Sequence, residues 1–181
     1  MKRTDRKASE EKELTWWQMI LLLALTLAVG LLLRNYVFNT YLVRGPSMQE
    51  TLHDGEVMFV YRLGYQLGGD IERGDVITLR VPGDKHDLVK RVVALPGETI
   101  SIRDGIVLIN GEELEESYVT YRGHTVMGPL ELKEDEYFVL GDNRTNSSDS
   151  RVFGPVKREN IRGEAKRILY PFKRWGDSLH G

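Results

Sequence analysis

Hydrophobic and polar positions fall into two regimes along the chain. Residues 1–13 carry nine charges and no large apolar side chain except Met1, so this head has nothing to bury and is expected to be disordered. From Met19 to Leu33 fifteen residues pass without a charge, and counted from Trp16 the apolar run is 18 residues long, ended by Arg34. At about 1.5 Å per residue this is a helix of roughly 27 Å, enough for a bilayer core. The run lengthens a little through Tyr36, Val37 and Phe38. Trp16 and Trp17 at one end and Tyr36 at the other suit the aromatic belts of a membrane. A helix at the edge of a soluble core would keep a polar face, and this one has none. A cleaved leader would need a small-residue site after the run; the only small triplet, Ala28-Val29-Gly30, lies inside it, and the head holds four acids. The pattern predicts an uncleaved anchor over residues 16–38. Five Lys and Arg in the head, against two in the fifteen residues after the span, direct the N-terminus to the cytoplasm and the remainder outside.

From residue 41 onward the pattern changes to short apolar or alternating runs. Strands are predicted over 41–44, 57–61, 76–81, 88–95, 99–103, 106–110, 137–140 and 165–170. Asp54-Gly55, Asp104-Gly105 and Asn110-Gly111 supply the positive φ of tight turns, and Pro82-Gly83, Pro96-Gly97, Gly128-Pro129 and Gly154-Pro155 punctuate the rest. Strands recurring at such intervals predict an all-β barrel or sandwich, with no sustained helix after the anchor. The acidic run 112–116 is expected to be a solvated connection.

Composition narrows the chemistry. The 181 residues are 41% hydrophobic and 29% charged, as in a folded globular protein. The mean hydropathy of −0.34 averages over two unlike parts. A net charge of −2 shows no basic excess for nucleic acid. With no cysteine there is no disulfide, thiol nucleophile or cysteine-ligated zinc. The four histidines show no metal-ligand spacing, and no phosphate loop or dinucleotide fingerprint appears; no metal, cofactor or nucleic acid is expected. His53-Asp54 near Ser47 invites a Ser-His-Asp reading, but neighbours on an extended chain point opposite ways, and a turn entering a strand is the better account.

Three segments exceed what local structure demands. Gly45-Pro46-Ser47-Met48-Gln49-Glu50-Thr51-Leu52 follows the first strand, and by itself is equally an ordinary loop. In Leu88-Val89-Lys90-Arg91-Val92-Val93 alternation sends the two cations to opposite faces of a very apolar strand. Either the strand is an edge guarded by a surface lysine, or a desolvated lysine has its pKa pulled down from about 10.4 and becomes a base. The third segment, 141–151, holds eleven residues without an apolar side chain; it is either a loose polar loop or one ordered by its own hydrogen bonds. Together the three contain a serine, a lysine and a second hydroxyl, the inventory of a Ser-Lys dyad.

These residues resemble type I signal peptidases, membrane-bound serine proteases of the S26 family that remove signal peptides from exported proteins. Ser47-Met48 with Thr51-Leu52 is similar to the nucleophile box, Arg73-Gly74-Asp75-Val76 to the box before a core strand, and 90–98 to the lysine box. Gly141-Asp142-Asn143-Arg144 with Asn146-Ser147 and Asp149-Ser150-Arg151 resembles the last box, and Gly154-Pro155-Val156 with Ile161, Gly163 and Ala165 the ending. The boxes stand in the family order over 34–170. The resemblance implies a mainly β protein: an N-terminal transmembrane helix followed by a signal-peptidase-like (LexA-like) β-barrel catalytic domain with a small β lobe. It implies Ser47 as nucleophile, neutral Lys90 as general base, Ser147 bonded to the Lys90 amine, and Met48 shielding the dyad. Asp149 and Arg151, with Asp142 and Arg144, would hold the loop. Val43, Leu52, Leu88 and Val89 would form shallow pockets accepting Ala-x-Ala in a substrate strand laid between 41–44 and 87–89. Its partners would be exported preproteins and the lipid bilayer, and its place the bacterial cell membrane, crossed once.

The implied organisation is a charged head over 1–15, an anchor over 16–38, a catalytic core over 39–103 and 137–175, an insertion lobe over 104–136 and a tail over 176–181. Two positions depart from the family pattern. Glu50 stands where proline is usual and is expected to face solvent, and Gly45 stands where some relatives carry a hydroxyl for the oxyanion. A rival of another class is a catalytically silent, membrane-tethered β module binding exported chains. A self-cleaving repressor would share the fold but needs a DNA-binding domain where this chain has its head and anchor.

Overall fold

The computed structural model describes residues 15–32 and 37–179. The first element is α1 (Trp16–Leu32), whose seventeen residues are all exposed. Gln18 accepts the Thr15 N–H at 2.9 Å at its start, and the one hydroxyl within it, Thr26, is satisfied by the Leu22 carbonyl at 2.8 Å. Among the described residues no helix is long and apolar enough to cross a membrane. The predicted span reached residue 38, but residues 33–36 lie outside the described residues, and Phe38 already belongs to a strand. The charged head lies outside them too, apart from Thr15.

The remainder is mainly β. A seven-stranded sheet is built from β1 (Phe38–Leu42), β2 (Val57–Tyr61), β3 (Val76–Leu79), β4 (Leu88–Ala94), β9 (Glu136–Leu140), β10 (Val156–Lys157) and β11 (Ile161–Tyr170). Its order is β1-β2-β11-β3-β4-β9-β10, and each neighbouring pair is antiparallel. Register shifts in β11 and between β4 and β9 bend this sheet. It does not close as the predicted barrel would. β1 and the two-residue β10 remain as edges, because the first strand pairs only with β2 and the chain beyond β10 turns away into β11.

A second sheet has the order β7-β6-β5-β8, from β5 (Thr99–Arg103), β6 (Ile106–Ile109), β7 (Glu112–Glu113) and β8 (Met127–Glu131). β5, predicted in the core, pairs instead with β6 and β8. Gly128-Pro129, read as a turn, sits inside β8; proline is tolerated there because β8 is an edge. Gly105, at φ 79°, could carry no side chain, since a Cβ would lie 2.4 Å from the Gly123 carbonyl. Two short helices, α2 (Leu63–Gln66) and α3 (Ser150–Phe153), and two 3-10 turns, Arg158–Asn160 and Phe172–Arg174, complete the described elements.

Three apolar clusters form the core. One gathers Val43, Met48, Leu52, Met58, Val60 and Ile168 behind the 45–52 turn. Another joins the sheets, with Val93, Phe138 and Leu140 packed on Ile100, Ile102 and Val107. The stretch expected to be a tail packs back. Ser178 bridges to Arg167, and Leu179 is buried in the first cluster. Replacing Leu179 by alanine should cost about 2–5 kcal/mol, the range for a buried leucine. Urea unfolding of the full chain in detergent measures it, and an unchanged midpoint would remove Leu179 from the core.

Candidate active site

β4 decides where the chemistry sits. It runs between β3 and β9, so neither face is at an edge, and both cations are buried: Lys90 is 2% exposed and Arg91 1%. Their side chains leave opposite faces of the strand. Lys90 Nζ lies 2.8 Å from Ser47 Oγ, to which it donates. Burial among apolar neighbours drives the lysine pKa down to about 8; the charges of Asp149 and Asp142 draw it partly back up, and Arg151 opposes them.

Ser47 occupies a turn made rigid from both sides. The Val43 N–H donates to the Glu56 carbonyl, the Gly55 N–H to the Val43 carbonyl, and the Gly45 N–H to Asp54 Oδ1 at 2.7 Å. The Leu52 N–H returns to the Met48 carbonyl at 2.7 Å. Gly45 has φ 85°, a conformation that suits a residue without a side chain. Glu50 is exposed, as expected, but with φ 87°, which no proline could adopt. His53 faces Arg174 and Glu56, its Nδ1 2.9 Å from Arg174 Nη1, so it forms a surface cluster away from Ser47.

The 141–151 segment is ordered by charge. Asp142 takes Arg91 through both oxygens, at 2.9 and 2.8 Å, and accepts Thr51 Oγ1 at 2.5 Å. Arg91 also donates to the Gly74 carbonyl at 2.7 Å, and its guanidinium lies 4.0 Å from the centre of the Tyr118 ring. Arg144 donates to the Gly141 carbonyl at 3.0 Å and forks onto Glu116. Glu116, expected in a solvated connection, is buried, and Tyr118 donates to it as well. Asp149 caps α3 and takes Arg151 through both oxygens at 2.8 Å and the Gly141 N–H at 3.0 Å. Burial would raise the Asp149 pKa, but these donors outweigh it and hold the carboxyl below its ordinary value.

This loop grips the turn that carries Ser47. Asn143 gives its N–H to the Ser47 carbonyl at 3.1 Å and its side-chain amide to the Pro46 carbonyl at 3.2 Å. Gly141 is wedged between the two: a Cβ there would lie 2.2 Å from Ser147 Oγ and 2.4 Å from the Ser47 carbonyl oxygen. Ser147 differs from its implied role. Its Oγ is buried but meets no partner at hydrogen-bonding geometry, Lys90 included, although it lies near enough to Asp149 to favour that carboxylate. The hydroxyl is packed against Gly141.

A groove of about 560 Å³ opens in front of Ser47 and Lys90. Residues 41–44 form one wall and 85–89 the other, with Val43, Leu88 and Val89 among the lining groups. Leu52 is fully buried beneath and does not reach the groove. The walls are tied by Tyr41, which donates to Asp87 Oδ2 at 3.1 Å, while Arg80 Nε holds Asp87 Oδ1 at 2.7 Å. Among the described residues no group of three His, Asp or Glu is placed to hold a metal ion. A hydroxyl in hydrogen-bond contact with a desolvated amine, beside an open slot, is equipped for acyl transfer through serine. Arg91, Thr51, Glu116, Tyr118 and Asn143 support the site without a role expected for them; Arg91, Thr51 and Asn143 stand in the family boxes, whereas nothing in the sequence marks Glu116 or Tyr118.

Comparison with known proteins identifies a family. The family model described as signal peptidase, peptidase S26, matches residues 15–170. Signal peptidase I of Bacillus amyloliquefaciens is 35% identical over 182 residues, covering 94% of this chain and 94% of the relative. Signal peptidase I S of Bacillus subtilis (strain 168) is 35% identical over 180 residues, covering 93% and 95%. A crystal structure of a signal peptidase I from Enterococcus faecalis V583 is 34% identical and covers 54% of this chain and 97% of that one, with a TM-score of 0.48. With nearly its whole length matched to such relatives, this chain belongs to the signal peptidase family, peptidase S26.

Proposed function

We propose that Ser47 and Lys90 are the dyad with which this serine endopeptidase removes signal peptides from exported preproteins. The observation that carries the reading is the 2.8 Å contact between Lys90 Nζ and Ser47 Oγ at a buried amine. With Lys90 neutral, the same contact has the Ser47 hydroxyl donating to nitrogen. Ser47 Oγ attacks the scissile carbonyl carbon as its proton passes to Lys90. The ammonium then protonates the departing amine, leaving an acyl ester on Ser47. Water, deprotonated by Lys90, hydrolyses that ester and frees the signal peptide. The Ser47 N–H donates to no group of the described residues and faces no competing acceptor for the oxyanion. Gly45 adds no side-chain donor.

The preprotein lies extended in the groove, between the 41–44 wall and the 85–89 wall, with main-chain hydrogen bonds giving affinity. Val43, Leu88 and Val89 shape shallow pockets for the small residues of an Ala-x-Ala site. Met48, 1% exposed, closes the dyad from water on the inner side. Asp142, Arg144, Asp149 and Arg151 are positioning residues that act through the loop carrying Asn143. The catalytic core spans 39–98 and 132–179, the second sheet and its loops forming the small lobe.

In the same reading α1, with the apolar residues after it, is the single membrane anchor. Its wholly exposed apolar surface and the Lys and Arg excess of the head support a cytoplasmic N-terminus and an extracytoplasmic catalytic domain.

Ser47→Ala and Lys90→Ala should each lower kcat on the order of 10⁴-fold with the fold retained; full cleavage of a preprotein by either would end the dyad assignment. Burial lowers the Lys90 pKa, so the reactive neutral form accumulates as pH rises, and kcat/KM should climb through about pH 8. A profile flat from pH 6 to 10, on the order of the whole accessible range, contradicts a lysine base. Gly141→Ala must push Ser47 and Ser147 apart, and a displacement near 1 Å costs on the order of 10²-fold in kcat. A near-normal kcat in that variant would show that the wedge does not hold the nucleophile.

A further inference from the structure

A second concavity, of about 220 Å³, begins where the groove ends. The nearer part of the 45–52 turn, Ser47 and Met48, lines the groove. Gln49, Glu50, Thr120, Tyr121, Asp142 and Asn143 line the second space, and the two share no residue. Asn143 donates to the carbonyls of Pro46 and Ser47, so this space directly adjoins the turn that carries Ser47. Its other side is residues 120–121, in the connection between β7 and β8, which the groove does not reach.

An endopeptidase must position its chain on both sides of the bond it cuts. The groove between 41–44 and 85–89 takes the residues before that bond and leaves those after it without a place. A concavity that continues past Ser47 offers them one.

The charges around it are not equally engaged. Asp142 is buried and closed on Arg91 through both oxygens. The nearby cations are occupied as well, Arg144 with Glu116 and Arg122 with Glu113, while Arg44 and Lys85 belong to the lining of the groove. Glu50 is exposed, and among the described residues it enters no ion pair and no side-chain hydrogen bond. One negative charge therefore stands unopposed in the lining. It needs no fixed contact to act, because a charge in water is felt over about 8 Å at physiological salt.

We propose that this concavity receives the residues that follow the cleaved bond, and that Glu50 is a specificity-determining residue there, favouring a lysine or arginine over an acid. The proposal rests on the Ser47–Lys90 reading and extends it to the mature end of the preprotein. The charge of the first mature residues would then help to set how fast a signal peptide is removed.

The test is competitive cleavage, by the full chain in detergent, of preproteins identical except for Lys, Gln or Glu at one of the first three positions after the cut. At one or more of these positions the wild-type chain should cleave the lysine form about threefold faster in kcat/KM than the glutamate form, the size of effect of one exposed charge pair. Glu50→Asn, a residue that suits the φ of 87° better than most, should bring the three forms together. Glu50→Lys should reverse their order. The wild-type preference should also shrink in about 1 M salt, where screening acts within about 3 Å. The salt comparison needs no variant, so it stands even where a substitution unsettles the turn. Equal rates at every position in wild type, a preference that survives Glu50→Asn, or one indifferent to salt overturns the proposal. A substitution that instead relaxes the requirement for small residues before the cut places the effect of Glu50 in the groove and overturns it too. Ser47→Ala separates the two readings: full cleavage by that variant ends the dyad, while its loss of cleavage together with equal wild-type rates for the three forms counts against the concavity alone.

Discussion

The arrangement depends on how two adjacent cations are accommodated in the middle of an apolar sheet. Lys90 and Arg91 leave β4 on opposite faces, and each has a different fate. Arg91 is enclosed by Asp142, Thr51, the Gly74 carbonyl and the Tyr118 ring. Lys90 has one hydroxyl partner and no carboxylate in direct contact, so burial weakens its hold on the proton. Because a buried ion pair gains little net stability and is costly to break from one side, the Arg91–Asp142 pair is better understood as a specifier of geometry. It fixes the start of the 141–151 loop to the same strand that carries the lysine.

From that point organisation spreads outward through charge. Arg144 reaches across to Glu116 in the loop between the second sheet's strands, and Arg151 closes on Asp149 at the cap of α3. A segment without an apolar residue thereby becomes as fixed as a packed one. Asn143 and Gly141 transmit this order to the Ser47 turn, the first by two hydrogen bonds and the second by having no side chain. Ser47 and Lys90 contribute little to their own placement.

The strands with apolar alternation were legible in the sequence, as were the Asp-Gly and Asn-Gly turns, where Asp104 and Asn110 take positive φ. So were the residues that approach one another at Ser47 and Lys90. What was hidden depended on partners far along the chain. Glu116 sits in an acidic run whose composition signals solvent, and only the arrival of Arg144 from 28 positions away explains its burial. β5 looks like any amphipathic strand, and whether it joins the larger or smaller sheet is decided by pairing, not by its own pattern. β8 was concealed by its Gly-Pro pair, which an edge position permits. The family resemblance implies a pocket role for Leu52, whereas the return of the turn onto Met48 places it in the core.

The hydrogen bond between Tyr41 and Asp87 has a bearing on which chains can be processed at all. An α-helix with its side chains is about 10–12 Å across, whereas one tyrosine side chain reaches from the 41–44 wall to Asp87 on the other. In the proposed binding mode, with the preprotein extended between these walls, conformation would be screened before any side chain is inspected. A preprotein whose helix runs through the cleavage point would be spared however small its residues, and one that breaks its helix just upstream would be accepted. The slot would then act as a gauge of secondary structure, with helix-breaking residues ahead of the scissile bond part of the message it reads.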